Sequence, residues 1–309
     1  MNQRTITRAD RDLGLVGMRA ELARKIAARV RAPGEHATAI PGLTLYRLTA
    51  PTACYAAEYE TGLAVIVQGR KRVTLGRTTY VCDESTFLLT SVEVPLVSEI
   101  VAASEKEPLL ALFFKLDMAI AREILDREEF NPRNGQSQVP ATPIGKTRGD
   151  LLQPCIRLLD LLDAPADIPF FSNLIHREII YRLLRYPQGD RLRAIARVDD
   201  PGRGTAKAIT WLRANYTKPF RLDELATVAR MGVSTLHHHF RKATSLSPLQ
   251  YHKHLRLIGA REKMLVEGVD ATRAAFDVGY ESTSQFTREY KRLFGQPPMR
   301  DVKVQRLAG

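Results

Sequence analysis

The sequence predicts an α+β chain: a β-rich N-terminal half, folded as a barrel or sandwich with flanking helices, followed by an all-α C-terminal part with two helix-turn-helix units. Three observations predict it. Residues 43–116 break into short strand-like runs separated by turn residues. After Asp117 the apolar period returns to that of helices. The last hundred residues carry one helix-turn-helix plan twice. At 309 residues and roughly 150 per domain, two domains with separate cores are expected, and a composition of 44% hydrophobic and 26% charged residues sets aside disordered and fibrous classes.

The N-terminal element is a helix from Leu13 to Arg31, with Leu15, Met18, Leu22, Ile26 and Val30 on one stripe ending before Pro33-Gly34. Strands follow at Leu43 to Leu48, Cys54 to Glu60, Leu63 to Gln68, Arg72 to Leu75, Thr86 to Thr90, Leu96 to Val101 and Leu109 to Leu116. Breakers at Thr61-Gly62, Gln68-Gly69, Leu75-Gly76 and Val94-Pro95 separate them. Helices are expected at Met118 to Asp126, Leu151 to Leu162 and Phe170 to Tyr186, with Asn131 to Gly149 as a loop. Pro187-Gln188-Gly189 stops the last helix. The run from Asp199 to Gly204 is linker-like, which divides the chain into a regulatory domain over 1–190, a linker over 191–204 and a C-terminal domain over 205–309.

Charge is unevenly spread. The chain carries +12, and residues 205–309 hold 18 Lys+Arg against 9 Asp+Glu, so most of the excess sits in the last third. A compact basic segment attached to a near-neutral one suggests a polyanion partner, nucleic acid first, with a solvated basic face as the alternative. The longest apolar runs, Gly62 to Val67 and Pro108 to Phe114, fall short of the ~20 residues of a membrane-spanning helix. Met1 to Gly14 lacks the apolar stretch of a secretory signal, so a cytoplasmic chain without a membrane partner is expected. Cys54, Cys82 and Cys155 are odd in number and widely spaced, and read as free or buried thiols.

The repeated plan opens with a short helix at Leu222 to Ala226, a turn at Met231-Gly232 and a second helix from Ser234 to Ala243 with Leu236 and Phe240 inward. Fifty residues later Asp270 caps a short helix through Asp277, Gly279 makes the turn, and Ser282 starts a helix with Phe286, Tyr290, Leu293 and Phe294 on one face. Ser282 with Gln285 fits a capping box, and Gly295 before Pro297-Pro298 is a stop. Between the units, Pro248 to Leu265 reads as one amphipathic helix that sets their separation.

These residues resemble the DNA-binding domain of the AraC family of bacterial transcription regulators. The resemblance rests on Leu222 to Ala226 (LDELA), Ser234 to Phe240 (STLHHHF), Ser247 to Leu257 (SPLQYHKHLRL) and Tyr280 to Pro298 (YESTSQFTREYKRLFGQPP), and covers about residues 205–302. Val67 to Gly76 (VQGRKRVTLG) and its surrounding strands are similar to the cupin-like N-terminal domain of one AraC subgroup. The resemblance implies a one-component activator with a cupin-like β-barrel that senses a small-molecule effector or dimerises. RNA polymerase is the implied protein partner and a homodimer the implied assembly.

Helical geometry selects the reading residues. Ser234, His237 and His238 lie opposite Leu236, His239 and Phe240, and in the second unit Thr283, Ser284, Thr287 and Arg288 take the corresponding outward positions. An α-helix fits the major groove of double-stranded DNA, where side-chain donors and acceptors distinguish all four base pairs. Thr235, Arg241, Lys242, Gln285, Lys291 and Arg292 flank these positions or suit phosphate. The alternatives are a plain helix surface with one packed histidine in the first unit, and an ion pair of Arg288 with Glu281 or Glu289 in the second. Family members often carry arginine at the position of His238, a serine cap at that of Gly232 and glycine at that of Arg230. Ala271 and Ala274 stand where larger aliphatics are usual.

Cupins often hold a metal through histidines and a glutamate, so a cupin-type metalloenzyme tethered to DNA is the competing class. Residues 43–116 contain no histidine; His36 and His176 flank them, and Glu58, Glu93 and Glu99 alone make a poor transition-metal site. No cofactor, metal or catalytic residue is therefore expected, and Tyr46, Tyr55, Tyr59 and Phe113 read as core or as the lining of an effector pocket. A purely architectural DNA-bending protein is a third class.

Overall fold

The computed structural model describes residues 8–52, 54–75, 78–127, 144–196 and 201–308. Among the described residues, helix α1 (Arg8–Arg29) precedes ten strands: β1 (Gly34–Ala37), β2 (Leu43–Leu48), β3 (Tyr55–Tyr59), β4 (Gly62–Gln68), β5 (Arg70–Leu75), β6 (Thr78–Cys82), β7 (Thr86–Thr90), β8 (Val94–Ala102), β9 (Leu109–Lys115) and β10 (Ile144–Lys146). Helix α2 (Met118–Arg127) lies before β10; α3 (Gly149–Asp160), α4 (Ile168–Arg185) and α5 (Gly189–Ala196) follow it. The C-terminal helices are α6 (Pro201–Ala214), α7 (Leu222–Ala229), α8 (Val233–Thr244), α9 (Pro248–Glu262), α10 (Ala271–Asp277), α11 (Thr283–Phe294) and α12 (Pro298–Ala308).

The strands form two antiparallel sheets, six-stranded in the order β1-β2-β9-β4-β7-β10 and four-stranded in the order β3-β8-β5-β6. Side-chain alternation along each strand decides what the sheets do. Leu45, Leu112, Val65 and Phe87 stand side by side across β2, β9, β4 and β7, all buried, and face a layer of α1, α3, α4 and α5. The opposite face of that sheet, with Ile66, Leu88 and Ala111, packs on Val73, Leu96 and Ile100 of the four-stranded sheet. The α+β class holds, with the N-terminal β-domain taking a double-sheet form.

The apolar cluster between the sheets continues into the C-terminal helices. It takes in Leu212, Leu225, Leu236, Phe240, Tyr251 and Leu255, so the first helix-turn-helix unit shares its core with the β-domain. A third cluster, with Leu257, Met264, Ala274, Val278, Phe286 and Tyr290, holds the second unit.

Several elements differ from the sequence reading. β1, β6 and β10 were not expected, and Pro95, expected as a breaker, lies inside β8 opposite Glu58. The stretch expected as linker, 191–204, holds most of α5 and the first turn of α6; residues 197–200 lie outside the described residues, as do 131–143 of the expected loop, whose end forms β10. The expected helix through Leu265 ends at Glu262, and Lys263–Glu267 form a π-helical turn closed by Gly268 in the left-handed region. α9 begins with a complete capping box that the reading missed. Ser247 Oγ accepts from Gln250 N at 3.2 Å, and the Gln250 side chain accepts from Ser247 N at 2.9 Å.

Candidate nucleic-acid interface

In the first unit, α7 ends on Arg230, which holds a left-handed conformation at φ 54° where glycine would be free of steric cost. Its amide and that of Met231 close the helix on Thr227 O and Ala226 O. This sets the turn that aims α8. Leu236, Phe240 and Thr244 of α8 are buried, whereas Ser234, Thr235, His237, His238, Arg241 and Lys242 are exposed. His239 is half-buried with its ring edge-on to His238 at 5.3 Å. Gly232 caps the helix without a side-chain hydrogen bond.

The second unit repeats the plan with better caps. Asp270 accepts from the amides of Thr272 and Arg273 at 2.8 and 3.0 Å, as expected. Gly279, at φ +88°, needs to be glycine, because a Cβ there would meet Thr217 O at 2.3 Å. Along α11, Phe286, Glu289, Tyr290 and Phe294 are buried; Ser284, Thr287, Arg288, Lys291 and Arg292 are exposed, and Thr283 and Gln285 are half-buried. The Ser282 cap is half of the expected box. Ser282 Oγ accepts from Gln285 N at 3.3 Å, but the Gln285 side chain donates to Glu289 Oε1 at 3.2 Å and so turns inward.

Electrostatics favour both exposed faces as anion-facing. α8 contains no acid. The one acid of α11, Glu289, is buried and takes Lys253 Nζ at 2.6 Å and the Tyr280 hydroxyl at 2.9 Å. Burial alone would raise its carboxyl, but the hydrogen bonds from Lys253, Tyr280 and Gln285 hold it below the usual range. With Glu289 so engaged, Arg288 has no ion-pair partner among the described residues. Each helix face thus offers hydroxyl or imidazole groups flanked by cations and carries no exposed acid of its own, the nearest being exposed Glu281 just before the Ser282 cap.

The spacing between the units is held by residues the sequence reading missed. Arg256 of α9 donates from Nε to Tyr216 O at 2.7 Å, from Nη1 to Gly279 O at 2.8 Å and from Nη2 to Lys218 O at 2.7 Å, pinning the α6–α7 connection to the turn of the second unit. Lys253 bridges α9 to α11 through Glu289. Nothing in the local pattern signals these contacts, because the partners lie 23 to 40 residues away in sequence.

The β-domain touches this unit at defined points. Tyr251 donates its hydroxyl to Glu93 O at 2.8 Å, Arg213 pairs with the Glu93 carboxylate, and Arg261 reaches Cys54 O at 3.3 Å. Arg191 of α5 holds Ala243 O in the last turn of α8 and Ser245 Oγ at its C-cap, at 3.4 and 3.2 Å. Glu99 pairs with Arg72 at 2.7 Å, and the Glu58 side chain lies outside the described residues. His36 bonds Ala32 O; His176 accepts from Asp117 N and packs on Phe114.

The expected pocket residues converge in part. Tyr46 on the six-stranded sheet and Tyr55 and Tyr59 on the four-stranded sheet lie close together. Burial first, then Glu35 and the two other phenols, raises Tyr46, and burial followed by Tyr59 raises Tyr55. The Phe113 ring covers Gly62, where a Cβ would come within 2.3 Å of it.

Comparison with known proteins places the chain. Residues 39–191 match the family model described as AraC-type transcriptional regulator N-terminus, and residues 225–303 match a helix-turn-helix domain model. The chain is 28% identical over 162 residues to the HTH-type transcriptional activator RhaS of Yersinia pestis (strain Pestoides F). A RhaS of Yersinia pseudotuberculosis serotype O:3 (strain YPIII) has the same identity. These alignments cover 52% of this chain and 58% of the relatives, so the chain spans little more than half the length of the curated relatives it matches. Among solved structures, the apo form of a ToxT point variant from Vibrio cholerae superposes with a TM-score of 0.52 at 11% identity, over 88% of this chain and 99% of that one. Unsaturated fatty acid-bound wild-type ToxT from the same organism gives 0.50 at 10% identity, over 89% and 98%. The fold is shared with ToxT. With the two family matches spanning about three quarters of its length, a regulatory N-terminal type followed by helix-turn-helix units, the chain belongs to the AraC-type transcriptional regulators.

Proposed function

We propose that the protein is a sequence-specific, double-stranded-DNA-binding transcription regulator of the cytoplasm, acting as an activator. A domain over 205–309 reads DNA and a domain over 1–190 controls the reading. The observation that carries this is the pair of exposed, acid-free helix faces at equivalent positions of two helix-turn-helix units. Ser234, His237, His238, Thr283, Ser284, Thr287 and Arg288 contact base edges, while Thr235, Arg241, Lys242, Lys291 and Arg292 hold phosphate. Gln285, turned toward Glu289, contributes at the margin. The chemistry is recognition, not reaction: cations give salt-dependent attachment and the helices read successive major-groove segments.

Control by a small molecule in the N-terminal domain is supported by the fold shared with ToxT, a protein seen with an unsaturated fatty acid bound. It is supported too by the direct contacts of Glu93, Cys54 and Arg191 with α6, α9 and the end of α8. The RhaS similarity supports activation, with RNA polymerase as the partner. A homodimer is expected through α4, where Phe170, Phe171 and Leu174 are 67%, 45% and 50% exposed. Light scattering of the full chain at micromolar concentration checks it, and a strictly monomeric chain would refute it.

Competition binding of a randomised operator library tests the reading. Arg288→Ala should cost about 1–3 kcal/mol and relax preference at one base position. Lys242→Ala should weaken all sequences alike and flatten the salt dependence by about one unit. Equal loss for every sequence with Arg288→Ala would make that residue a phosphate clamp, and no selection by the wild type would remove the proposal.

A further inference from the structure

The inward positions between the two sheets are not equally covered. Val73, Leu96 and Ile100 are buried to within 1% exposure, yet Tyr46, Tyr55, Tyr59 and Lys71 on the same inner faces are only half-buried. Lys71 faces inward because it alternates with Arg70 and Arg72 and shares its side of β5 with Val73 and Leu75. Arg72 points the other way, to Glu99.

Lys71 is an unusual occupant. Its Nζ donates to the Tyr59 hydroxyl at 2.8 Å and sits 4.9 Å from that ring's centre, and the Tyr59 hydroxyl in turn bonds Ser98 Oγ at 2.8 Å. Among the described side chains no carboxylate pairs with it. Burial works to lower the ammonium pKa, but the phenols of Tyr59 and Tyr55 more than offset this and hold it above the usual value. A cation inside a domain is costly unless paired. An ammonium has three donors, and Tyr59 uses one.

We propose that the inter-sheet space binds a small organic carboxylate, its head on Lys71 and the Tyr59 hydroxyl and its apolar body against Tyr46, Tyr55 and Phe113. This rests on the reading of the N-terminal domain as the effector domain and gives the effector its chemical class. A neutral polyol would leave the ammonium uncompensated. A phosphate dianion would ask for a second cation, and Lys71 is the only one on the inner faces of β5 and β8. The ligand would lie against β3 and β8, which continue directly from Cys54 and Glu93, the residues that hold Arg261, Tyr251 and Arg213 of the C-terminal helices.

The test uses the full chain, thermal unfolding and calorimetry. The probes are benzoate and hexanoate, matched by benzyl alcohol and hexanol, with inorganic phosphate as a bare anion. The two carboxylates should raise the Tm of the wild type, while the alcohols and phosphate at equal concentration should not. Lys71→Met should weaken carboxylate binding about ten- to hundredfold, the value of a lost charge-assisted hydrogen bond. Tyr59→Phe keeps the ring and should weaken it about tenfold should Lys71→Met fail to fold. Equal response to alcohols or to phosphate, no response to either carboxylate, or full binding by the Tyr59→Phe and Lys71→Met variants would overturn the proposal. The same preparations are tested on library-selected DNA. Protein that binds DNA but no carboxylate removes this proposal alone, and protein that binds carboxylate but no DNA removes the regulator reading alone.

Discussion

An Asp301→Ala variant should lose about 3–5 kcal/mol of stability in the C-terminal helices, the cost of stranding a buried charge. Arg261 and Asp301 are 5% and 2% exposed. The guanidinium donates from Nε to Oδ2 at 2.7 Å and from Nη2 to Oδ1 at 3.2 Å, and the Tyr290 hydroxyl donates to Oδ2 at 2.7 Å. Arg261 also lies over the Phe294 ring at 5.0 Å. One carboxylate thereby ties α9, α11 and α12 together, and its removal leaves a guanidinium in the third core without a counter-charge. Urea unfolding followed by far-UV circular dichroism measures the effect. Tyr290→Phe, which deletes one neutral donor, should cost about 1 kcal/mol. A loss below about 1 kcal/mol for Asp301→Ala would mean that water replaces the pair and that packing alone holds α12. Because α11 is proposed as the second reading helix, DNA affinity measured near the variant's unfolding midpoint should fall with the folded fraction.

Acidification should destabilise the same region well before the carboxylates titrate. His252 and His254 of α9 are both held down to a pKa of about 4, by burial first and then by Arg256 and Arg292 respectively. In the unfolded chain each takes its proton near pH 6.5. Below that pH the unfolded state binds up to two more protons than the folded one. Their contribution is thus complete above about pH 6.5 and is lost as pH falls toward 4, at up to about 2.7 kcal/mol per pH unit. Denaturant midpoints at pH 7.5, 6.5 and 5.5 read this directly, and His254→Asn should roughly halve the slope. A flat profile across that window would show that the folded rings accept protons freely. The helix that spaces the two readers would then carry no acid sensitivity.

The sequence alone determined a good part of this protein, and for identifiable reasons. β2 and β7 begin and end where the apolar pattern places them, since a strand that alternates buried and half-buried residues, as β2 does, or one buried along nearly its whole length, as β7 is, carries its own signal. The reading helices follow from a 3.6-residue stripe: Leu236 and Phe240, or Phe286 and Tyr290, turn inward and leave Ser234, His238, Thr287 and Arg288 outside. Asp270 and Gly295 announce helix ends by chemistry confined to neighbouring residues. Only the tertiary structure decided β1, β6 and β10. These are short or polar segments whose backbone is ordered by a partner strand, Gly34–Ala37 on β2, Thr78–Cys82 on β5 and Ile144–Lys146 on β7, so their own residues need carry no alternation. It also decided α5, which follows a Pro-Gln-Gly stop, and the continuity of one apolar core from the β-domain into the first reading unit. Above all it decided the polar contacts Arg261 to Asp301, Lys253 to Glu289 and Lys71 to Tyr59, 40, 36 and 12 residues apart. Periodicity reports which side of an element faces inward, whereas the partner of a buried charge is chosen by which elements the whole chain brings to it.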